Sequence, residues 1–345
     1  MSILALKSDQ SPSTRINMLA TSITTGRGSL LLPRIGLMLL LCAAIVVAGA
    51  AGNSMLRYSL TIGVISAVAV LGNNAVTGTL GEINLASGAY MAFGAYAMTW
   101  ALGHGWSFLP SLGFALVVGV AVGALIAIPT VRLQGIFTAL GTFALAFAIP
   151  DLIIALSSVT GGELGLAVPA AAIGGITLGG STVPMLVLVC VVFAIVAIAS
   201  LVVFSGSAGR VVLMVGEAAP AAHVFGIRAT LTKVLVWTWA SALGAIAGAM
   251  YALAVGFLNS SIFVSFLSIT LLIGGLIGGT RNISGALIGG LVVGTLPLHM
   301  QSVIPAPATG LVFGAILLLA LMTGRGGVGS ALEKIGVKLF RRRSA

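Results

Sequence analysis

The side chains that could carry out chemistry are few in this sequence and lie far apart. His104, His223 and His299 have no acidic residue at metal-ligand spacing, and Cys42 and Cys190 lie in separate apolar runs. None of the lysines has glycine before it and serine or threonine after it, so no phosphate-binding loop is present. We therefore predict no metal site, no catalytic group and no nucleotide hydrolysis by this chain itself.

Charge is concentrated in one internal segment, residues 209–227, which read GRVVLMVGEAAPAAHVFGI. Apolar residues recur in it at spacings of three and four, which indicates an amphipathic helix with Arg210 and Glu217 outside the apolar stripe. The stripe consists of Val211, Met214, Ala218, Ala221 and Phe225. Pro220 fits the first position of a second helix, so we predict two short helical pieces that end at Gly226. Such an element either lies on a membrane surface or docks into the groove of a partner.

The elements that position this segment must be membrane helices. Hydrophobic residues make up 59% of the chain, charged residues 6%, and the mean hydropathy is +1.21. A soluble domain has about 25% charged residues, because its surface faces water. The composition therefore predicts an all-α integral membrane protein, a polytopic helical bundle.

A membrane-spanning helix needs about 20 mostly apolar residues. The sequence contains ten such runs, of which the second holds Asn73 and Asn74, and the eighth and ninth are divided only by residues 280–282. The predicted spans are 33–51, 58–77, 84–103, 110–129, 135–156, 183–205, 234–257, 264–280, 283–300 and 308–323.

The distribution of basic residues orients these spans. With the N-terminus inside the cell, all of the 16 Lys and Arg except Arg57 fall on the cytoplasmic side. We therefore attribute the net charge of +10 to membrane topology and expect no nucleic-acid partner. The predicted organisation is a polar cytoplasmic tail over 1–29, a transmembrane domain over 30–323 with a cytoplasmic loop at about 206–233, and a basic cytoplasmic tail over 324–345.

The 47 glycines carry a second signal, because small residues allow membrane helices to approach closely. Several pairs are spaced four apart, and we interpret them as packing contacts. These pairs are Gly119/Gly123, Gly244/Gly248, Gly274/Gly278, Gly275/Gly279 and Gly285/Gly289. In the segments 81–96 and 274–290 the glycines are dense enough to indicate flexible or broken helices along a pathway.

Over most of residues 55–330 the chain resembles the permease subunits of ATP-binding cassette (ABC) importers for branched-chain amino acids, the Liv type. Besides the segment 209–227, the similar stretches are GEINLASGAYMAFGAY (81–96), RLQGIFTALGTFALAF (132–147), TGGELGL (160–166), GGLIGGTRNISGALIGG (274–290) and GRGGVGSALEK (324–334). One departure is Gly216, which stands where these permeases often have a basic residue.

The resemblance implies a division of labour in a bacterial inner membrane. Two permease chains would form the path, the partner being a homologous subunit or a second copy of this chain. A periplasmic binding protein would deliver the solute, and two ATPase subunits would use ATP, so this chain would bind no cofactor. The family's cytoplasmic loop lies against the ATPase. Here that coupling loop would comprise Arg210, Glu217, Ala218, Ala221, Ala222 and Gly226.

The resemblance implies branched-chain or related amino acids as the solute, with urea, short amides or a sugar as alternatives within the same importer superfamily. A stand-alone secondary transporter or channel is an alternative of another class, although the predicted spans contain few carboxylates. For the translocation path we expect positions where glycine-broken backbone meets aromatic or hydroxyl side chains. These are Tyr90, Tyr96, Phe137, Thr138 and Thr142.

Overall fold

The computed structural model describes residues 31–133, 135–280, 282–300 and 314, and this part of the chain contains eleven α-helices. They are α1 (Leu31–Ala51), α2 (Ser54–Ala75), α3 (Ser87–Gly103), α4 (Phe108–Thr130), α5 (Ile136–Ala155), α6 (Ser157–Thr160), α7 (Val183–Ser205), α8 (Ser207–Val224), α9 (Ala229–Val255), α10 (Ser265–Gly278) and α11 (Ile283–Met300). A π-helical turn, Val76–Leu80, continues α2. Two 3-10 turns lie at Gly162–Leu164 and Ser260–Phe263.

The first nine predicted spans coincide with helices of this fold. By length and composition, six helical segments can cross a membrane, namely Ser54–Leu80, Phe108–Thr130, Ile136–Ala155, Val183–Ser205, Ala229–Val255 and Ile283–Met300. Two shorter apolar helices, Ile35–Ala51 and Ser265–Gly278, accompany them. A helical membrane protein is therefore confirmed, whereas the count of ten spans stays a prediction. Both predicted tails lie outside the described residues, which include only Gly314 of the predicted span 308–323.

Helices α2 and α9 form the centre of the bundle. Most of their side chains are buried, whereas α4 and α5 expose most of theirs and form the periphery. Helix α9 packs against α2, α3 and α4, and α11 packs along α2. Because the central helices have no side that faces water, their apolar residues surround the whole helix and do not form a single stripe.

Glycine allows the closest of these helix contacts, as the spacing predicts. A Cβ at Gly248 of α9 would collide with the backbone oxygen of Met91 in α3. A Cβ at Gly278 of α10 would collide in the same way with the backbone oxygen of Gly285 in α11. The predicted packing role of these glycines is confirmed, since the backbones approach closely only where side chains are absent.

Four short strands interrupt the helical fold, and the sequence patterns did not predict them. Strand β1 (Leu166–Ala167) pairs antiparallel with β4 (Phe257–Leu258), with Leu166 opposite Leu258. Strands β2 (Ala171–Ile173) and β3 (Ile176–Leu178) form a hairpin. Gly174 and Gly175 at its tip have φ of 57° and 83°, which is the left-handed pair that a two-residue hairpin turn requires. Strands this short have no recognisable alternation, so the region reads as a loop.

Arg57, the one basic residue predicted on the outer side, is held by backbone carbonyls. Its guanidinium donates hydrogen bonds to Gly49 O (2.9 Å), Ser181 O (3.1 Å) and Gly52 O (3.3 Å). These bonds satisfy carbonyls at the end of α1 and connect the α1–α2 turn to the loop before α7.

Candidate functional site

Helix α8 occupies most of the segment predicted to form the coupling loop, and it is broken in the middle. The break is at Ala218, whose φ of −151° and ψ of 67° are not helical, two residues before Pro220. Proline lacks the N–H of a helical hydrogen bond and its ring crowds the preceding turn, so the chain bends here. Gly226, with φ of 73°, follows the second piece. The two predicted helical pieces and their glycine end are thus confirmed.

The two faces of α8 have different environments. Its inner face, Gly209, Val212, Val215 and Ala222, is buried in a small core that includes the π-helical turn and Trp237. Its outer face carries apolar side chains that the described chain does not cover. On this face Met214, Val224 and Phe225 are 37%, 85% and 73% exposed, and Ala218 and Ala221 are exposed as well.

The predicted coupling residues divide between these two faces. Arg210, Glu217 and Gly226 are exposed, as are Ala218 and Ala221. Ala222 is fully buried against the bundle, so its side chain faces away from the exposed surface. Five of the six residues are therefore exposed.

Helix α8 lies directly on the turn that ends α2. A Cβ on Gly216 would lie 2.5 Å from Thr79 O and 2.9 Å from Leu80 Cα, so only glycine fits this contact. Val215 and Val212 pack beside it in the same core as Val76 and Leu80. Any displacement of α8 toward or away from the bundle therefore acts on the π-helical turn.

A carboxylate next to that turn binds the start of α9. Glu82 Oε1 forms an ion pair with Lys233 Nζ, and Trp237 Nε1 donates a hydrogen bond to Glu82 Oε2 at 3.0 Å. The side chains of Glu82 and Lys233 are only 12% and 18% exposed. The first turns of α9 are thus bound to the residues that follow the π-helical turn.

Residues 81–86 form no helix or strand between α2 and α3. We call these residues, together with Ser87 and Gly88 at the start of α3, the break segment. Two side chains satisfy backbone donors at its end: Thr142 Oγ1 of α5 accepts from Leu85 N (3.1 Å), and Ser268 Oγ of α10 accepts from Gly88 N (2.9 Å). Non-helical backbone within a membrane protein is tolerated where it is buried in protein or lines a cavity. The break segment meets this condition through α5, α9 and α10.

The predicted path residues lie in four different places. Thr142 holds the break segment, and Thr138, one turn away on α5, is fully buried. Tyr90 is buried on α3, where its Cβ faces Gly244 of α9, and Phe137 is 64% exposed on α5. The structure thus brings Thr138 and Thr142 together on one face of α5 and separates them from Phe137.

Tyr96 lines an apolar cleft of about 330 Å³ between α3, α4 and α5. The cleft walls include Phe93, Trp100, Phe114 and Ile153, and the Tyr96 hydroxyl has no hydrogen-bond partner. The cleft has the size and apolar lining of a small-molecule pocket.

Apart from Thr142, sequence reasoning missed the residues that hold the break segment. Glu82 carried a usable signal, since it is an isolated carboxylate beside a glycine. Lys233 and Trp237 are 151 and 155 residues away from it, so no local pattern connects them. Ser268 resembles any other small residue of an apolar helix. In the described part of the chain no group of three His, Cys, Asp or Glu residues could hold a metal ion.

Comparison with known proteins identifies the family. Neither the curated proteins nor the solved structures contain a match to the chain. A family described as "branched-chain amino acid transport system / permease component" matches residues 55–321, more than half of the chain. That range includes α2 to α11, the break segment and the whole of α8. The chain therefore belongs to this family of membrane permease components of transport systems.

Proposed function

We propose that the chain is the permease subunit of a Liv-type ABC importer that moves branched-chain or related amino acids across a bacterial inner membrane. Two permease chains form the path, two ATPase subunits bind α8 from the cytoplasm, and a periplasmic binding protein delivers the solute. Both termini lie in the cytoplasm. The loop of residues 206–233 is the coupling element, and the chain itself binds no cofactor and catalyses no reaction.

The exposed outer face of α8 is the observation that carries this proposal. Met214, Val224 and Phe225 present apolar surface beside Arg210 and Glu217, at the end of the bundle where Lys and Arg indicate the cytoplasm. A short amphipathic helix of this kind fits a hydrophobic groove of a partner. A stand-alone carrier has no need of such a face.

The contacts behind α8 supply a mechanism. ATP binding closes the ATPase dimer and displaces α8, which acts on the π-helical turn through Gly216 and on the break segment through Lys233 and Glu82. The break segment contacts α5 and α10, so its displacement shifts these helices between inward-open and outward-open packings. The ATPases supply the energy, and this chain uses it to change the side of the membrane to which the path is open.

Two variants of the α8 end test this assignment. Gly226→Ala forces alanine to φ near 73°, which costs about 1–2 kcal/mol and changes the end of α8. Glu217→Ala removes the carboxylate of the exposed surface. We expect both variants to insert normally, to lose most leucine uptake, and to retain ATP hydrolysis that no longer depends on transport.

The matched control is Gly105→Ala, which imposes the same backbone strain at φ of 78° in open surroundings, in the loop between α3 and α4. It should leave uptake unchanged. Radiolabelled leucine, isoleucine, valine, urea and ribose, offered to vesicles containing the reconstituted complex, identify the solute. Full leucine uptake by the purified chain without any ATPase would refute the importer assignment and favour a stand-alone carrier.

A further inference from the structure

Two consecutive amides near the end of α2 are buried without partners. Asn73 and Asn74 are 1% and 5% exposed, and within the described part of the chain none of their four side-chain nitrogen and oxygen atoms forms a hydrogen bond. Burying an amide without a hydrogen bond destabilises a protein, so buried amides are normally paired. A pair of unpaired amides in an apolar bundle therefore indicates groups that act on something other than this chain.

The amide pair lies where α2 ceases to be a regular helix. The π-helical turn begins two residues after Asn74, and such turns are frequent at functional sites. Asn74 Oδ1 points at Gly275 of α10, and a Cβ at that position would collide with it. The absence of a side chain at Gly275 leaves room for the amide to face α10.

The break segment contributes two more polar groups of the same kind. Among the residues that the structure describes, Asn84 Nδ2 and Ser87 Oγ have no hydrogen-bond partner, and both residues are at least 98% buried. This end of the segment is bound to α10 through Gly88 N and Ser268 Oγ. Helix α10 is therefore the common neighbour of Asn74 and of the break segment.

The sequence around these groups occurs twice. The pattern Gly-x-x-Gly, five residues, Ser-Gly-Ala stands at 78–89 and again at 275–286, and each copy contains the end of one helix and the start of the next. The two copies touch, because a Cβ on Gly78 would collide with Thr280 O. In transporters, glycine-interrupted segments at corresponding positions of two halves are the best sequence indication of the solute site.

We infer that Asn74, Asn84 and Ser87, next to α10, form a solute-binding site together with Asn73, the neighbour of Asn74 on α2, and that it takes a small polar solute without net charge. Amide and hydroxyl groups offer both donors and acceptors but no formal charge, which suits a zwitterion, an amide or a polyol. A solute with net charge would lose its hydration without a counter-charge from these four side chains. The inference rests on the proposed function, because it takes the chain to be a permease.

The first experiment separates a binding role from a structural one. Asn73→Leu and Asn74→Leu keep the approximate volume but remove amides that have no partner. We therefore expect the thermal unfolding midpoint of the purified complex to stay the same or rise. The KM for leucine uptake should rise about 10-fold, because hydrogen bonds to the solute are lost. Asn74→Ser, which is smaller and polar, should give an intermediate KM and serves where the leucine variants fold poorly.

The control is Thr61→Val on the same helix. Thr61 is fully buried, but its hydroxyl donates to Arg57 O at 2.9 Å, so its polar group is already satisfied. This variant should leave the KM within about twofold of wild type. An unchanged KM in the asparagine variants overturns the inference, whether or not their unfolding midpoint changes.

The second experiment tests the charge of the solute on the purified wild-type complex without its binding protein. Leucine, leucinamide and 4-methylpentanoate share one side chain but carry net charges of zero, plus one and minus one. Leucine should raise the unfolding midpoint in the wild type and not in Asn74→Leu, and the charged analogues should have no effect. Equal shifts with all three compounds overturn the inference.

The inference and the proposed function can fail separately. Transport of urea or ribose instead of leucine would refute the branched-chain assignment but not the binding site, and the asparagine variants would then be tested with urea or ribose.

Discussion

At the residue scale, Glu82 shows how one buried charge can connect distant parts of the chain. Its carboxylate receives the Lys233 ammonium on one oxygen and the Trp237 N–H on the other, so both oxygens are satisfied at the edge of the bundle. In a largely desolvated site, the ion pair stabilises the fold by much less than the loss of one partner would destabilise it, because the remaining charge would be buried without a counter-charge. Its role is to fix geometry, since it joins the break segment to the first turns of α9.

Removing one member of this pair should be more harmful than removing both. In Glu82→Gln, the mostly buried Lys233 ammonium loses its counter-charge, and we expect a loss of stability on the order of 3 kcal/mol. The double variant Glu82→Gln/Lys233→Met should recover part of that loss. Thermal unfolding of the purified complex in a double-mutant cycle measures both effects.

Glu163→Gln is the control for charge removal, because Glu163 is exposed in the loop after α6. It should change stability by about 0.5 kcal/mol at most. Additive effects of the single variants at positions 82 and 233 would contradict the coupling.

At the scale of elements, the contact between α8 and the π-helical turn is the joint on which the proposed mechanism depends. Helix α8 is short and bent at Ala218, and its inner face buries only small and β-branched side chains. Glycine at position 216 brings the two backbones together. A tight backbone contact transmits displacement better than a flexible side chain, because packed interfaces have discrete arrangements.

Gly216→Val should separate the two elements. The new Cβ would lie 2.5 Å from Thr79 O, so α8 must move away from the turn. We expect solute import to fall about 10-fold, which matches a typical coupling free energy, while ATP hydrolysis by the assembled complex persists. Uptake and ATP hydrolysis measured on the same proteoliposomes give the ratio of solute moved to ATP used.

Gly206→Ala is the matched control from the same loop. Its φ is −83°, and the nearest atom to the new Cβ is Val202 O at 3.5 Å, an ordinary contact. This variant should keep the wild-type ratio of solute to ATP. A wild-type ratio of solute to ATP in Gly216→Val would exclude a coupling role for the contact between α8 and the π-helical turn.

At the scale of the whole molecule, the fold gathers at one end of the bundle the segments that the charge asymmetry predicts to be cytoplasmic. Helix α8, the ion pair of Glu82 and Lys233 and the α10–α11 turn meet at one end of the bundle, as the contacts of Gly216 and Gly78 require. Arg57 lies in the first turn of α2, where three backbone carbonyls accept hydrogen bonds from its guanidinium. Local hydrogen bonding therefore accounts for the basic residue predicted on the outer side.

Site-directed labelling tests this orientation. In a background with Cys42→Ala and Cys190→Ala, a membrane-impermeant maleimide should label Gly105→Cys in intact spheroplasts. It should label His223→Cys only in inside-out vesicles, because the loops of 104–107 and 206–233 are predicted on opposite sides. Both positions are exposed, so access to the reagent is not limited by the fold. Labelling of both variants from the same side would refute the topology.

The predictions from sequence were most successful where the signal is local. Helix ends fell within a few residues of the predicted ends of nine spans, and the bend of α8 followed from Pro220. The site was harder to predict, because Thr142 owes its role to a hydrogen bond with Leu85, 57 residues away. Phe137, only one residue from Thr138, turned out to lie on the exposed side of α5.

The sequence by itself determined that this protein is a helical membrane permease component with one amphipathic, charged connector, because hydropathy, charge asymmetry and proline act through neighbouring residues. The tertiary structure decided which helices are central, which partners Glu82 acquires, and which buried amides are left without partners. Those properties depend on contacts between residues up to 180 positions apart in the chain, and no periodicity along the chain records such contacts.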